Sequence, residues 1–168
     1  MTILGQTKPF QAGVIFIKTR LGDAEMKHYT GGCHCGQVRY QTSAELRPII
    51  ICHCRDCMKI IGNSIAATSA PEAEVEITET SLKWYRSSEI AERGFCSHCG
   101  ASLFYRPTGT GRLAITAGTL DDASGLSCVG QIYAVSHPGF SPLPEGLQHV
   151  DDLYHQNKQT SDDDSSRW

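Results

Sequence analysis

Short runs of alternating apolar and polar residues, each cut off by Gly, Pro, Ser or Asp, fill the middle of this chain. In "QVRYQT" the alternation puts Val38 and Tyr40 on one face of an extended segment. "PIII" runs apolar into Cys52, and "SIAATS", "EVEI", "LKWYRS", "ERGF", "SLFYR", "RLAIT" and "QIYAV" follow at short intervals. β-branched and aromatic residues in short runs at this spacing predict a mainly β architecture of short-stranded sheets. "RDCMKIIG" is the best candidate for a short helical turn, ended by Gly62.

The ends of the chain read differently. Residues 1–25 carry no cysteine and no clear period, so they are expected to be an extension, an N-terminal strand, or residues ahead of a natural start at Met26. The domain is expected to span 26–156. Residues 157–168, "NKQTSDDDSSRW", are polar and acidic and are expected to form a disordered tail. A length of 168 residues fits one domain with a core large enough to stand without disulfide staples. A net charge of -3 with no basic stripe argues against nucleic-acid and anionic-membrane partners. The apolar stretch Gly13 to Ile17 is too short for a signal peptide or a membrane span, and a cytoplasmic location is expected.

Eight cysteines change this ordinary picture. A disulfide framework suits small secreted domains, whereas tight Cys spacing suits metal. Cys33-His34-Cys35-Gly36 and Cys96-Ser97-His98-Cys99-Gly100 form two knuckles, each with two thiolates able to grip one ion from one side. The glycine after each pair allows a tight turn whose backbone N–H groups point at sulfur. Four thiolates close a tetrahedral structural zinc site. Buried small apolar cysteines are the plainer alternative, and His34 and His98 are alternative ligands.

Cys52-His53-Cys54-Arg55-Asp56-Cys57 holds three more thiols within six residues. Cys52 and Cys54 project to the same side of an extended segment, and the turn that follows returns Cys57 to them. Three protein ligands leave a fourth zinc position for substrate, the mark of a catalytic site. Other arrangements stay open on the residues alone: closure by Cys128 or His53, a redox thiol cluster, or a zinc ribbon joining Cys54 and Cys57 to Cys96 and Cys99. Cys128, away from any paired cysteine, is expected to bind no metal. The expected cofactor is therefore Zn2+, two per chain.

In "GGCHCGQVRY", "CHCRDCMKIIGNS", "LKWYRSS", "RGFCSHCGASLFYR" and "AGTLDD", from about Tyr29 to Val135, the chain resembles the glutathione-dependent formaldehyde-activating enzyme family. That family is also called S-(hydroxymethyl)glutathione synthase-like and includes centromere protein V-like members. The resemblance implies a mainly β fold around a structural four-cysteine zinc, Cys33, Cys35, Cys96 and Cys99. It also implies a catalytic three-cysteine zinc, Cys52, Cys54 and Cys57, and so favours this pairing over the ribbon. Near the C-terminus many members carry a His followed by apolar and aromatic residues. Here Gln131 stands in that place, with Tyr133 at the aromatic, and this departure bears on substrate identity.

The implied activity is that of a carbon–sulfur lyase acting on adducts of a small thiol such as glutathione with an aldehyde such as formaldehyde. Arg55, Lys59, Arg86 and Arg93 are candidate partners for the carboxylates of glutathione, and Asn63 and Ser64 are candidate pocket residues. Each has a plain reading as solvated surface or turn. Asp121-Asp122 are expected to cap a turn rather than serve as acid and base. A non-catalytic zinc module for protein or nucleic-acid contacts is the alternative function, and a thiol-based redox or metal-handling protein a third.

Overall fold

The structure is a computed structural model and describes residues 27–78 and 80–150. The expected extension at 1–25 and tail at 157–168 lie outside the described residues, as do both expected domain boundaries. The architecture is mainly β, with eleven strands and one α-helix among the described residues. No helix among them is long and apolar enough to cross a membrane.

A small antiparallel sheet joins β1 (Tyr29–Gly32), β2 (Arg39–Thr42) and β5 (Glu76–Thr78) in the order β1-β2-β5. The large sheet holds β3 (Ile49–Cys52), β4 (Ile65–Pro71), β6 (Leu82–Ser88), β7 (Ala91–Cys96), β8 (Ser102–Pro107), β9 (Arg112–Thr116), β10 (Cys128–Ile132) and β11 (Gln148–His149). Its strand order is β11-β10-β3-β4-β9-β8-β7-β6. β10 runs parallel to both β3 and β11, and the other pairs are antiparallel.

The core lies between the small sheet and one face of the large one. Thr42 is buried at 3% exposure, and Val38 and Tyr40 alternate inward as the sequence predicts, at 0% and 3%. They meet Leu103 and Phe104 of β8 and Leu113 and Ile115 of β9 in one cluster, and Tyr40 sits edge-on to Phe104 at 5.3 Å. Across β6, β7 and β8, Trp84, Gly94 and Phe104 lie in register on the core face. Gly94 fits closely there: a Cβ would lie 3.0 Å from Phe104 and 3.1 Å from Trp84, which stack on each other, and would press both rings outward. The next row, Tyr85, Arg93 and Tyr105, faces the opposite side.

The helix α1 (Arg55–Ile61) forms where the sequence predicts one. Cys54 caps its N-terminus by accepting from the Cys57 N–H, and Gly62, at φ 82°, ends it with an N–H bond to the Met58 carbonyl. Two expected strands differ. Of "EVEI", the first residue belongs to a 3-10 turn, Glu72–Glu74, and only Glu76 and Ile77 enter β5. "QIYAV" stops being a strand at Ile132, because Tyr133 adopts left-handed φ of 56° and Ala134–Ser136 form a 3-10 turn.

The "AGTLDD" segment fastens the small sheet to the large one. Gly31 bridges to Leu120, and a Cβ on Gly31 would lie 2.2 Å from the Tyr40 hydroxyl. Asp121 accepts from both terminal nitrogens of Arg39 and from the Thr30 hydroxyl at 2.6 Å. Asp122 accepts from the Ser124 N–H, the turn cap expected of it. The Arg39 hydrogen bonds, then that from Thr30, hold the Asp121 carboxyl down to about 2 from an ordinary 3.8. A carboxylate depressed in the folded state adds stability above its unfolded value and loses it as pH falls through the folded one. Asp121→Asn is therefore expected to lower the thermal midpoint at pH 7. Thermal melts of parent and variant should converge between pH 3.8 and pH 2, and a gap that stays constant down to pH 2 would show that Asp121 acts by packing instead.

Candidate metal centres

Two turns bring the first four sulfurs together. Cys33 and Cys96 are the first residues of two loops built alike. The Cys33 N–H donates to the Val38 carbonyl at 3.0 Å, and the Cys96 N–H to the Ala101 carbonyl at 2.9 Å. Gly36 and Gly100 return N–H bonds to the Cys33 and Cys96 carbonyls, at φ of 78° and 76°. Only glycine takes that conformation without strain, which is why one follows each pair. Backbone N–H groups then point at sulfur: Val38 at Cys33, 3.2 Å away, Gln37 at Cys35, and Ala101 at Cys99.

The four Sγ atoms of Cys33, Cys35, Cys96 and Cys99 lie within 4.8 Å of one another. Cys33 and Cys35 are 3.5 Å apart, and Cys35 and Cys96 3.7 Å. A disulfide needs about 2.05 Å, and all eight cysteines are free thiols. A tetrahedron with metal–sulfur bonds of about 2.3 Å has edges of about 3.8 Å, so the observed spacing fits a thiophilic cation. Without an ion the four thiols titrate unequally. The Ala101 N–H, with that of Cys35, draws the Cys99 thiol down to about 6. Against the Gln37 N–H, desolvation and the three neighbouring sulfurs push Cys35 up to about 12. Four thiolates in one place require a compensating charge. His34 and His98 are exposed and stand outside the group.

The second group is made by the end of β3 and the start of α1. Cys52, Cys54 and Cys57 have their Sγ atoms within 4.8 Å of one another, with Cys57 and Cys52 3.6 Å apart. Hydrogen bonds from Cys52 and Cys57 hold the Cys54 thiol far below the ordinary range, and the Cys54 and Cys57 thiols, with burial, push Cys52 far above it. Three sulfurs sharing protons in this way form a set that a cation would ionise together. Among the described residues no fourth Cys, His, Asp or Glu joins them, and the ribbon grouping with Cys96 and Cys99 is not adopted.

The alternation along this segment turns His53 away from the sulfurs and into the protein, where it is 1% exposed. Its Nε2 meets Gln131 Oε1 at 3.1 Å, and Gln131 Nε2 donates to the Pro144 carbonyl at 3.3 Å. The His53 N–H donates to the Ile132 carbonyl at 3.0 Å, and the His53 ring lies edge-on to His137 at 5.3 Å. Gln131 thus braces the cysteine segment from behind. Sequence reasoning marked Gln131 as a departure but gave no sign of this partner. The only available signal was the polar residue at an inward position of a strand.

The other expected site residues divide. Arg55 and Lys59 are exposed on α1, one turn apart on the helix that carries Cys57. Asn63 accepts from the Ser64 N–H at 2.8 Å and so shapes the turn after the helix. Arg86 is exposed and donates to the Glu89 carbonyl at the β6–β7 turn. Arg93 is buried, with both terminal nitrogens 3.9 Å from Cys57 Sγ. Cys128 sits in β10, with its Sγ 3.9 Å from the Gly130 carbonyl.

A family model described as "Glutathione-dependent formaldehyde-activating enzyme" matches residues 28–136. An uncharacterized lyase of Schizosaccharomyces pombe is 29% identical over 83 residues, a match that takes in 49% of this chain and 61% of that protein. A crystal structure of a Rhodobacter sphaeroides protein, a structural-genomics target, aligns at a TM-score of 0.47 and 21% identity over 55% of this chain and 87% of that one.

Metal analysis of protein purified without chelator is expected to give about two zinc per chain on this ligand count, and a value of one would remove one of the centres. Cys96→Ser opens a group that joins segments 61 residues apart. Structural zinc is worth about 10 kcal/mol or more against a total stability of about 5–15 kcal/mol, so this variant should be largely unfolded. Cys54→Ser should lose one zinc and keep its far-ultraviolet circular dichroism, and Cys128→Ala should keep both ions.

Proposed function

The chain belongs to the glutathione-dependent formaldehyde-activating enzyme family, and from that membership we propose that it is a zinc-dependent carbon–sulfur lyase acting on adducts of a small thiol with a small aldehyde. The observation that carries this reading is the difference between the two sulfur groups. One has four cysteines and is complete, whereas the other has three and, among the described residues, no further ligand.

Cys52, Cys54 and Cys57 would hold the ion from one side. Zinc bound there supplies a fourth position at which an exogenous thiol stays ionised near neutral pH. Three cysteinates surround that position with negative charge, which suits delivery of a nucleophilic sulfur better than activation of water. In the forward direction the thiolate sulfur forms a bond to the aldehyde carbon, and the carbonyl oxygen takes up the proton that the thiol released. The reverse breaks the same carbon–sulfur bond. Arg55 and Lys59, on the exposed side of α1, would meet the carboxylates of a glutathione-like thiol, and Ser64 would line the mouth where the helix ends.

Glutathione and formaldehyde also combine without a catalyst, so the test must be read against that background. Exchange between free and adducted formaldehyde, followed by NMR, should be faster with the parent protein than without protein. With Cys54→Ser it should fall to the uncatalysed rate while the chain stays folded. A parent rate no greater than background would leave a non-catalytic zinc module as the better account.

A further inference from the structure

Arg93 is a buried cation that meets no carboxylate among the described residues. It is 7% exposed on β7, its guanidinium lies 5.0 Å from the Tyr105 ring centroid, and its two terminal nitrogens each stand 3.9 Å from Cys57 Sγ. Glu92, its neighbour on the strand, lies on the opposite face and pairs with Arg106. Among the described residues no ion pair involves Arg93, and its Nε is buried without a hydrogen-bond partner. A guanidinium stays charged at any pH a protein tolerates, and burying one uncompensated is costly. The anionic sulfur of the three-cysteine group is the counter-charge its surroundings offer.

We propose that Arg93 is a positioning residue of this site, offsetting its negative charge so that the fourth position takes an anionic ligand, a thiolate, in preference to a neutral one. The proposal rests on the thiol reading of the site for its natural ligand, but not for its charge logic. Three cysteinates around a divalent cation carry one net negative charge, and a fourth thiolate makes two. A guanidinium against Cys57 returns one unit, and it does so without occupying the fourth position. Its planar fork reaches the sulfur with two N–H groups, which a lysine cannot do. The geometry is enforced from behind: Cys96 lies three residues on along β7 and belongs to the four-cysteine group. Burial also removes Arg93 from the surface cations that could meet a substrate carboxylate.

The test uses cobalt-loaded protein, whose absorption reports ligands entering the fourth position. Azide serves as a small anion, imidazole as a neutral donor and glutathione as the thiol. Arg93→Met keeps the bulk and loses the charge, and Arg93→Lys keeps the charge and loses the fork. Arg93→Met is expected to weaken azide and glutathione about tenfold, the scale of a charge-assisted bond, and to leave imidazole within about twofold. Arg93→Lys should recover part of the anion affinity. If azide responds in this way but glutathione does not bind the parent protein, the role of Arg93 stands and the lyase reading fails. Equal weakening of all three ligands, no change in any, or a parent site that admits none of them would overturn the proposal.

Discussion

Four sulfurs drawn from two distant turns into one group are the constraint on which this fold depends. Cys33 and Cys35 follow β1 of the small sheet, whereas Cys96 ends β7 of the large one and Cys99 lies just beyond it. Each turn buries the first cysteine of its pair in the core, Cys33 and Cys96, and leaves the second, Cys35 or Cys99, nearer solvent. Backbone N–H groups aimed at sulfur support both turns, and a cation bound among the four sulfurs would tie them to each other. The core beside them then closes Tyr40 on Phe104 and fixes how the small sheet sits on the large one.

From that anchorage β7 carries order to the other centre. Its residues alternate between two tasks. Gly94 faces the core and makes room for Trp84 on Phe104, while Arg93 turns to the opposite side and meets Cys57. A slip of one residue in this strand would put the arginine into the core and the glycine at the sulfur site. The second centre is therefore held from three directions: by β3 through Cys52, by α1 through the Cys54 cap, and by β7 through Arg93. Gln131 adds a fourth restraint behind it by fixing His53.

Much of this was legible in the sequence. The two knuckles and the three-thiol segment are local patterns, with ligands a few residues apart and a glycine where the turn needs one. The helix over 55–61 was legible from the run into Gly62, and the inward face of β2 from strict alternation. What could not be read depends on contacts between distant segments. β1 is half glycine, and its strand character comes from pairing with β2 and from close packing on Tyr40. β10 ends early because Tyr133 turns left-handed, a choice made by the surrounding structure and not by the tyrosine. Arg93 reads in the sequence as one of four candidate partners for substrate carboxylates, and nothing in its neighbours or spacing signals the contact with Cys57, 36 residues away.

The proposed function requires that the three-cysteine centre hold an ion with one position open to an exogenous thiol. The most direct measurement is a crystal structure of the zinc-loaded protein soaked with glutathione. The glutathione sulfur is expected at about 2.3 Å from the second zinc, completing a tetrahedron with Cys52, Cys54 and Cys57. A fourth protein ligand closing that zinc, or glutathione bound with its sulfur away from the metal, would contradict it.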